Sequence, residues 1–396
     1  MRTELAPGPW LRLSALVAAG GTLLAVISGA AGLGTAHRLL AALVAPPLAA
    51  LVVSAWFAHR RLVPAALAAA ALFAAAAAVP GPHMHSGLAA FALAALLIVV
   101  AESFRGEPVP WGSWRDYVAL TKPRIMSLLL ITGFCGMTAG ARGWPGTGLA
   151  IAAMSGLALA CGGASALNHV LDRDIDPLMG ERTRSRPVAS GRVPPSRAFE
   201  FGLALLAFSF VLLASAVNVL TAVLALVGGL FYVIVYTRWL KRSTSQNIVI
   251  GGAAGAVPPL VGWAAATGHV GFAALLLFAI VFIWTPPHFW ALALLIKENY
   301  ANARVPMLPV VRGDRATSRQ IVVYSLVLVA ATLLPWGWGG AGPLYVVCAL
   351  ALGAVFVWLA ERLRRDTTPR RAMLLFHYSL LYLALLFAAL AVDAVV

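Results

Sequence analysis

NHVLDRDIDPLMGERTRSRP, residues 168–187, sets four acids and four arginines in one short stretch of a chain that is 61% hydrophobic and only 11% charged. An apolar segment, 148–170, runs up to it, and another, 198–216, follows it. Charge bracketed by two segments of spanning length reads as a surface loop between two membrane helices. The rest of the chain agrees. A mean hydropathy of +0.88 over 396 residues lies far outside the range of water-soluble domains. Alternating strand patterns are absent, and hydrocarbon satisfies no unpaired backbone group, so helices are the spanning structure. The expected fold is an all-α polytopic membrane protein.

Segments suited to spanning fall at 11–33, 39–58, 62–80, 86–102, 124–141, 148–170, 198–216, 219–238, 248–266, 272–296, 320–337, 342–360 and 373–393. With the N-terminus inside, the basic loops Arg60–Arg61, Arg105 to Lys122, Arg173 to Arg197, Arg238 to Arg242, Lys297 to Arg319 and Arg362 to Arg371 all face the cytoplasm. Only Arg38 and Arg142 of the 29 basic residues then lie outside, as the positive-inside bias requires, and the C-terminus ends outside. This topology accounts for most of the net charge of +15. It excludes a nucleic-acid partner, because no soluble basic patch interleaved with aromatics accompanies it. The apolar run after MRTELAPGPWLR is too long for a signal peptide and lacks a cleavage site, so it is expected to stay as an anchor. Cys135, Cys161 and Cys348 sit widely spaced in apolar segments and read as buried small hydrophobes.

The stretch ESFRGEPVPWGSWRDYVALTKPR divides the chain. The expected organisation is a four-helix extension over 1–105, a cytoplasmic linker over 106–123, and nine helices over 124–396 that carry all the dense polar loops.

Asn168, Asp172 and Asp176 recur every four residues, which on a helix stacks them along one face. Pro177 disfavours helical geometry at Asp176 and places it at an unwinding end. Oxygen ligands at this spacing suit Mg²⁺, which uses one or two carboxylates and completes its shell with phosphate oxygens. Arg182, Arg184 and Arg186 follow, and guanidinium forks match phosphate oxygens. Acid–base pairing in a solvated loop would explain the same residues, but face-aligned acids at a membrane helix end are costly without a task.

A second polar cluster, YTRWLKRSTSQN (236–247), offers Lys241, Arg242, Thr244 and Asn247 to an anion on the same membrane side, although a positive-inside loop alone would supply its basic residues. A third, KENYANARVPMLPVVRGDR (297–315), faces that side too. Three polar loops around an intramembrane cavity suggest a diphosphate head at the surface and an isoprenoid tail within the bundle. WTPPHFWALAL (284–294) places His288 inside a span, after Pro286–Pro287, which are expected to kink or interrupt the helix. Trp284, Phe289 and Trp290 flank the histidine.

Those four stretches, extended to NHVLDRDIDPLMGERTRSRPVASGRV, YTRWLKRSTSQNIVIGGAAGAVPPLVGW and YANARVPMLPVVRG, resemble the protohaem IX farnesyltransferase (haem O synthase) family of UbiA-type intramembrane prenyltransferases over about residues 110–396. The resemblance implies a nine-helix bundle that joins the farnesyl group of farnesyl diphosphate to the 2-vinyl group of protohaem IX (haem B), using Mg²⁺ and feeding haem A and terminal oxidase assembly. It implies a bacterial inner-membrane location and contact with a haem A synthase or oxidase assembly factors. By position it assigns Asn168, Asp172 and Asp176 to the Mg²⁺-diphosphate motif, and Arg182, Arg186, Lys241, Arg242, Thr244 and Asn247 to diphosphate binding. Most UbiA-type relatives carry a second Asp-rich motif at the position of Lys241 to Asn247; the haem branch, like this sequence, does not. His288 is then a ligand to the haem iron or a base for the water that traps the cation, with Trp284 and Trp290 as haem contacts.

The extension places His37 and His85 at the outer surface on alternate helices, which weakly resembles one half of haem A synthase and makes both candidate haem contacts. Only one half is present and no glutamate lies just before His37, which favours a spacer packed on the catalytic bundle. Two other readings compete: a UbiA-type enzyme with another aromatic acceptor, and a transporter with the loops as gates. The first predicts aspartates in the second loop, and the second predicts paired broken helices in an inverted repeat; neither feature is evident.

Overall fold

The computed structural model describes residues 9–30, 34–58, 62–78, 82–103, 112–337 and 341–395. All elements among them are helical. Four helices come first: α1 (Pro9–Ala30), α2 (Gly34–Ala58), α3 (Val63–Ala78) and α4 (Pro82–Ser103). The short α5 (Trp114–Leu120) leads into α6 (Pro123–Ala141) and α7 (Thr147–Leu171). A 3₁₀ turn (Asp176–Leu178) and α8 (Glu181–Arg184) form the loop before α9 (Pro195–Ala216). α10 (Val219–Leu230) continues through π-helical turns (Phe231–Leu240) into α11 (Lys241–Ser243). The remainder is α12 (Asn247–Thr267), α13 (Phe272–Leu295), α14 (Lys297–Asn302), α15 (Leu308–Gly337), α16 (Pro343–Arg365) and α17 (Pro369–Asp393).

Among the described residues, ten helices are long and apolar enough to cross a membrane; Leu11–Val26 and Val63–Ala77 are shorter apolar stretches. The chain is an integral membrane protein. Its surface keeps the greasy character expected in lipid, with Leu43, Ile151, Trp239 and Val347 all more than half exposed.

Lipid gives no hydrophobic drive for helix association, so small residues set the close crossings. A methyl group built on Gly262 of α12 would fall 1.8 Å from the Gly133 carbonyl oxygen of α6. Gly163 of α7 and Gly202 of α9 meet in the same way, each facing the other's carbonyl oxygen at 2.7 and 3.0 Å. These two crossings fix α6 on α12 and α7 on α9, and so fix where the C-terminal end of α7 lies.

The first four helices share an apolar core (Leu11, Leu51, Ala66, Leu96) that continues onto Val211 of α9. At the N-terminal end of α9, Arg197 is buried between Glu102 of α4 and Glu200.

Two expectations need correction. The spans expected at 320–337, 342–360 and 373–393 belong to the longer helices Leu308–Gly337, Pro343–Arg365 and Pro369–Asp393. Helical hydrogen bonding does not stop at the membrane surface, so charged turns extend these elements beyond their apolar parts. α13 runs without interruption through Pro286–Pro287, as α12 does through Pro258–Pro259 and α2 through Pro46–Pro47. Proline's fixed φ is helical, and a surrounding bundle tolerates the missing donors. The break lies instead in α15, at Gly313 (φ 76°, ψ 172°).

Candidate diphosphate site

α7 ends just short of the acidic run. Asn168 lies in its last turn, and Asp172 is its C-cap. Helical pitch nonetheless carries on, because Asp172 N–H donates to Asn168 O (2.9 Å) and Asp176 N–H to Asp172 O (2.8 Å). Pro177 then opens the 3₁₀ turn, as expected from its restriction on the preceding residue. All three side chains therefore share one direction, and all are buried, at 3%, 1% and 0% exposure.

Each meets a cation from a different segment. Lys122 Nζ donates to Asn168 Oδ1 (2.7 Å), Lys241 Nζ to Asp172 Oδ2 (2.6 Å), and Arg186 Nη1 to Asp176 Oδ1 (2.6 Å). Asn168 Nδ2 bridges to Asp172 Oδ2 (2.9 Å) and to Thr237 Oγ1 in the π-helical turns (3.0 Å). The second oxygens, Asp172 Oδ1 and Asp176 Oδ2, are buried without a hydrogen-bond partner, as is Asn247 Oδ1. Buried orphan acceptors are rare and call for a partner. Burial raises the pKa of Asp176 against the opposing pull of Arg186.

Other expected residues have different duties. Arg242 clasps the exposed Asp174 with both terminal nitrogens (2.6 and 2.7 Å) and caps the carbonyl of Leu171 (2.7 Å), lying 4.0 Å from Asp172. That fork holds the carboxyl of Asp174 down at about 2. Thr244, the C-cap of α11, accepts from Gln246 N–H (3.2 Å). Arg182 is exposed on α8, on the solvent side of the loop. The third loop closes over the first: Tyr300, Val305 and Met307 bury against Ile175 and Met179. The Tyr300 hydroxyl is pushed up to about 12 by burial, with Arg186 acting in the opposite sense.

Lys122 is the site residue that the sequence did not single out. It holds a left-handed backbone (φ 51°, ψ 61°) just before Pro123, costly for a side-chain-bearing residue and a common mark of a functional position. Burial, then the nearby Arg186, draws its pKa down to about 7, although Asp172 pulls the other way. A lone lysine before a proline is also what a positive-inside loop supplies, so the pattern alone carried no signal. His169, with both ring nitrogens buried and without partners, was missed as well.

His288 does not touch this cluster. Its ring lies between Trp284 (4.3 Å, 15°) and Phe376 (4.8 Å, 22°), with Phe289 edge-on and Ser379 Oγ 2.6 Å from Nδ1. Trp290, expected to flank it, points elsewhere: it packs edge-on against Tyr324 of α15, because two residues along a helix turn the side chain to another face. In the extension, His37 Nδ1 lies 2.7 Å from Ala25 O and lines a cavity of about 180 Å³ with Thr22, Arg38 and Phe73. His85 belongs to α4, and its side chain lies outside the described residues.

The donor set fits a hard divalent cation. Two orphan carboxylate oxygens one helical turn apart in sequence are a donor set that suits Mg²⁺, which completes its shell with phosphate oxygens and water. Among the described residues no group of three or more His, Cys, Asp or Glu could hold a metal ion. Asn168, expected as a third ligand, already gives Oδ1 to Lys122.

A helical membrane bundle with a buried, cation-lined carboxylate pair at one helix end defines an intramembrane protein whose polar site is built at the end of a spanning helix. The chain belongs to the UbiA prenyltransferase family, whose model matches residues 129–388. It is 54% identical over 281 residues to a protoheme IX farnesyltransferase of Symbiobacterium thermophilum, covering 70% of this chain and 94% of that one. It is 47% identical over 337 residues to a protoheme IX farnesyltransferase of Roseiflexus sp., covering 79% of this chain and 63% of that longer protein. The fold is shared with a UbiA homologue from Archaeoglobus fulgidus solved with DMAPP and Mg²⁺: TM-score 0.54, 17% identity, 70% of this chain and 99% of that one.

Proposed function

We propose that the protein transfers the farnesyl group of farnesyl diphosphate to the 2-vinyl group of protohaem IX, with addition of water, giving haem O and diphosphate. The observation that carries the chemistry is the pair of buried orphan oxygens on Asp172 and Asp176, each beside a cation on its other oxygen. The choice of protohaem and farnesyl rests on the names of the relatives.

Asp172 and Asp176 would hold Mg²⁺, which when bound supplies positive charge to the diphosphate oxygens. Lys122, Lys241 and Arg186 supply more from fixed positions, so charge building on the leaving group meets a prearranged field. The C1–O bond of the farnesyl group breaks, its electron pair leaving with diphosphate. The π electrons of the vinyl terminus form the new C–C bond to C1, and the cation left beside the porphyrin takes a water oxygen and releases one proton. Arg242 keeps the acidic loop folded through Asp174, and Tyr300 and Met307 cover it from water. His288, with Trp284 beside it, serves the acceptor as ligand to the iron or base for the water.

The product would serve haem A and terminal oxidase assembly in a bacterial inner membrane, with the diphosphate site and N-terminus cytoplasmic, the C-terminus outside, and a haem A synthase or assembly factor as neighbour. Residues 1–105 would form the extension, 106–123 the linker and 124–396 the catalytic domain. Arg182, Thr244 and Asn247 would line the approach of the diphosphate, and His37 and His85 would bear on a docked haem in the extension. Purified protein with farnesyl diphosphate and Mg²⁺, offered protohaem and 4-hydroxybenzoate together, should prenylate protohaem. Prenylation of the benzoate instead would replace the haem reading with a phenolic one.

A further inference from the structure

The surroundings of His288 determine where its proton sits. Ser379 of α17 is fully buried, and its hydroxyl oxygen lies 2.6 Å from the carbonyl oxygen of Phe376, one turn back, and 2.6 Å from His288 Nδ1. A carbonyl cannot donate, and two oxygens that close repel unless a proton lies between them. The single hydroxyl proton of Ser379 is therefore spent on Phe376, and the oxygen can only accept at the histidine. Nδ1 must carry a hydrogen, which leaves the lone pair of the neutral ring on Nε2.

The ring has no freedom to do otherwise. Trp284 and Phe376 stack on its two faces, so it cannot rotate out of plane. Trp284 Nε1 donates to the backbone carbonyl of Ser379 (2.9 Å), tying α13 to α17 at the residue that reads the histidine. Nε2 bonds to no protein atom and is not among the enclosed polar atoms, unlike both nitrogens of His169. The histidine is 6% exposed.

We infer that Ser379 is a positioning residue: it holds His288 in the Nδ1–H form so that Nε2 presents a lone pair to the acceptor. An outer partner that fixes the tautomer and orientation of a histidine is the usual companion of a histidine whose other nitrogen binds a metal or takes a proton. The consequence for the acceptor rests on the haem reading above; the tautomer does not.

The test uses the full-length chain, labelled with ¹⁵N,¹³C-histidine, in lipid bilayers, with the His288 signals identified by their loss in His288→Gln. Wild type should show protonated Nδ1 and bare Nε2. Ser379→Ala should move His288 toward the Nε2–H form and weaken protohaem binding, followed at the Soret band, by about tenfold. Ser379→Thr, which keeps the hydroxyl, should restore both. A wild-type Nε2–H form, or an alanine variant with unchanged tautomer and affinity, overturns the inference. A tautomer that shifts as expected in a protein that binds no protohaem upholds the hold of Ser379 on His288 and overturns the acceptor reading instead.

Discussion

Lys122 and Arg182 make a sharp comparison at the scale of single residues. Both are basic and on the same loop side, but one is half-buried, bonded to Asn168 from a left-handed backbone, and the other is exposed on α8. Only a preorganised, desolvated cation stabilises a leaving anion strongly. Lys122→Met should therefore lower kcat by about a hundredfold, whereas Arg182→Met, on the approach only, should raise KM for farnesyl diphosphate and leave kcat near wild type; initial rates of diphosphate release across substrate concentrations decide. Equal losses in the two variants would mean that loop charge, not placement, matters. Arg242 is a third case, since its planar fork spans both oxygens of Asp174. Arg242→Lys cannot reproduce that grip, so the loop 172–187 should become more open to proteolysis; an unchanged cleavage pattern would remove Arg242 from the account.

At the scale of elements, the sequence was most readable where one force dominates. Apolar length gave the long helices, and four-residue spacing with Pro177 gave the shared direction of Asn168, Asp172 and Asp176 and their exit from α7. What escaped depended on neighbours distant in sequence. The Pro286–Pro287 pair reads as a break in isolation and is absorbed by the bundle, while the bend in α15 falls on a single unremarkable glycine, Gly313. Lys122 and Ser379 were invisible because their importance lies in what they touch, Asn168 and His288, 46 and 91 residues away. Close helix crossings belong here too. Gly262→Ala would drive a methyl into the Gly133 carbonyl oxygen, and overpacking of that kind costs about 1–3 kcal/mol. A lower unfolding temperature in detergent is expected, with Gly255→Ala, which meets nothing, as the unaffected control. A Gly262→Ala protein as stable as wild type would contradict the α6–α12 crossing.

For the whole molecule, the question is what the first four helices add. The Symbiobacterium relative is matched over 94% of its length by 281 residues of this chain, so a protein of about that size suffices for its activity. The extension nevertheless docks on α9 through Val211 and the buried Arg197–Glu102 contact, at the start of the helix that follows the acidic loop. Arg197→Leu would strip Glu102 and Glu200 of that guanidinium, and breaking a buried pair from one side costs about 3–5 kcal/mol. The variant should lose thermal stability far more than it loses turnover per folded molecule; the reverse pattern would make the extension part of the chemistry.

The most direct measurement is mass analysis of the haem extracted after purified protein is incubated with protohaem, farnesyl diphosphate and Mg²⁺, beside an Asp172→Ala control. The account predicts that wild type yields protohaem enlarged by one farnesyl group and one water, and that the control yields only protohaem. Unmodified protohaem from wild-type protein that binds both substrates, or haem O from the control, would contradict it.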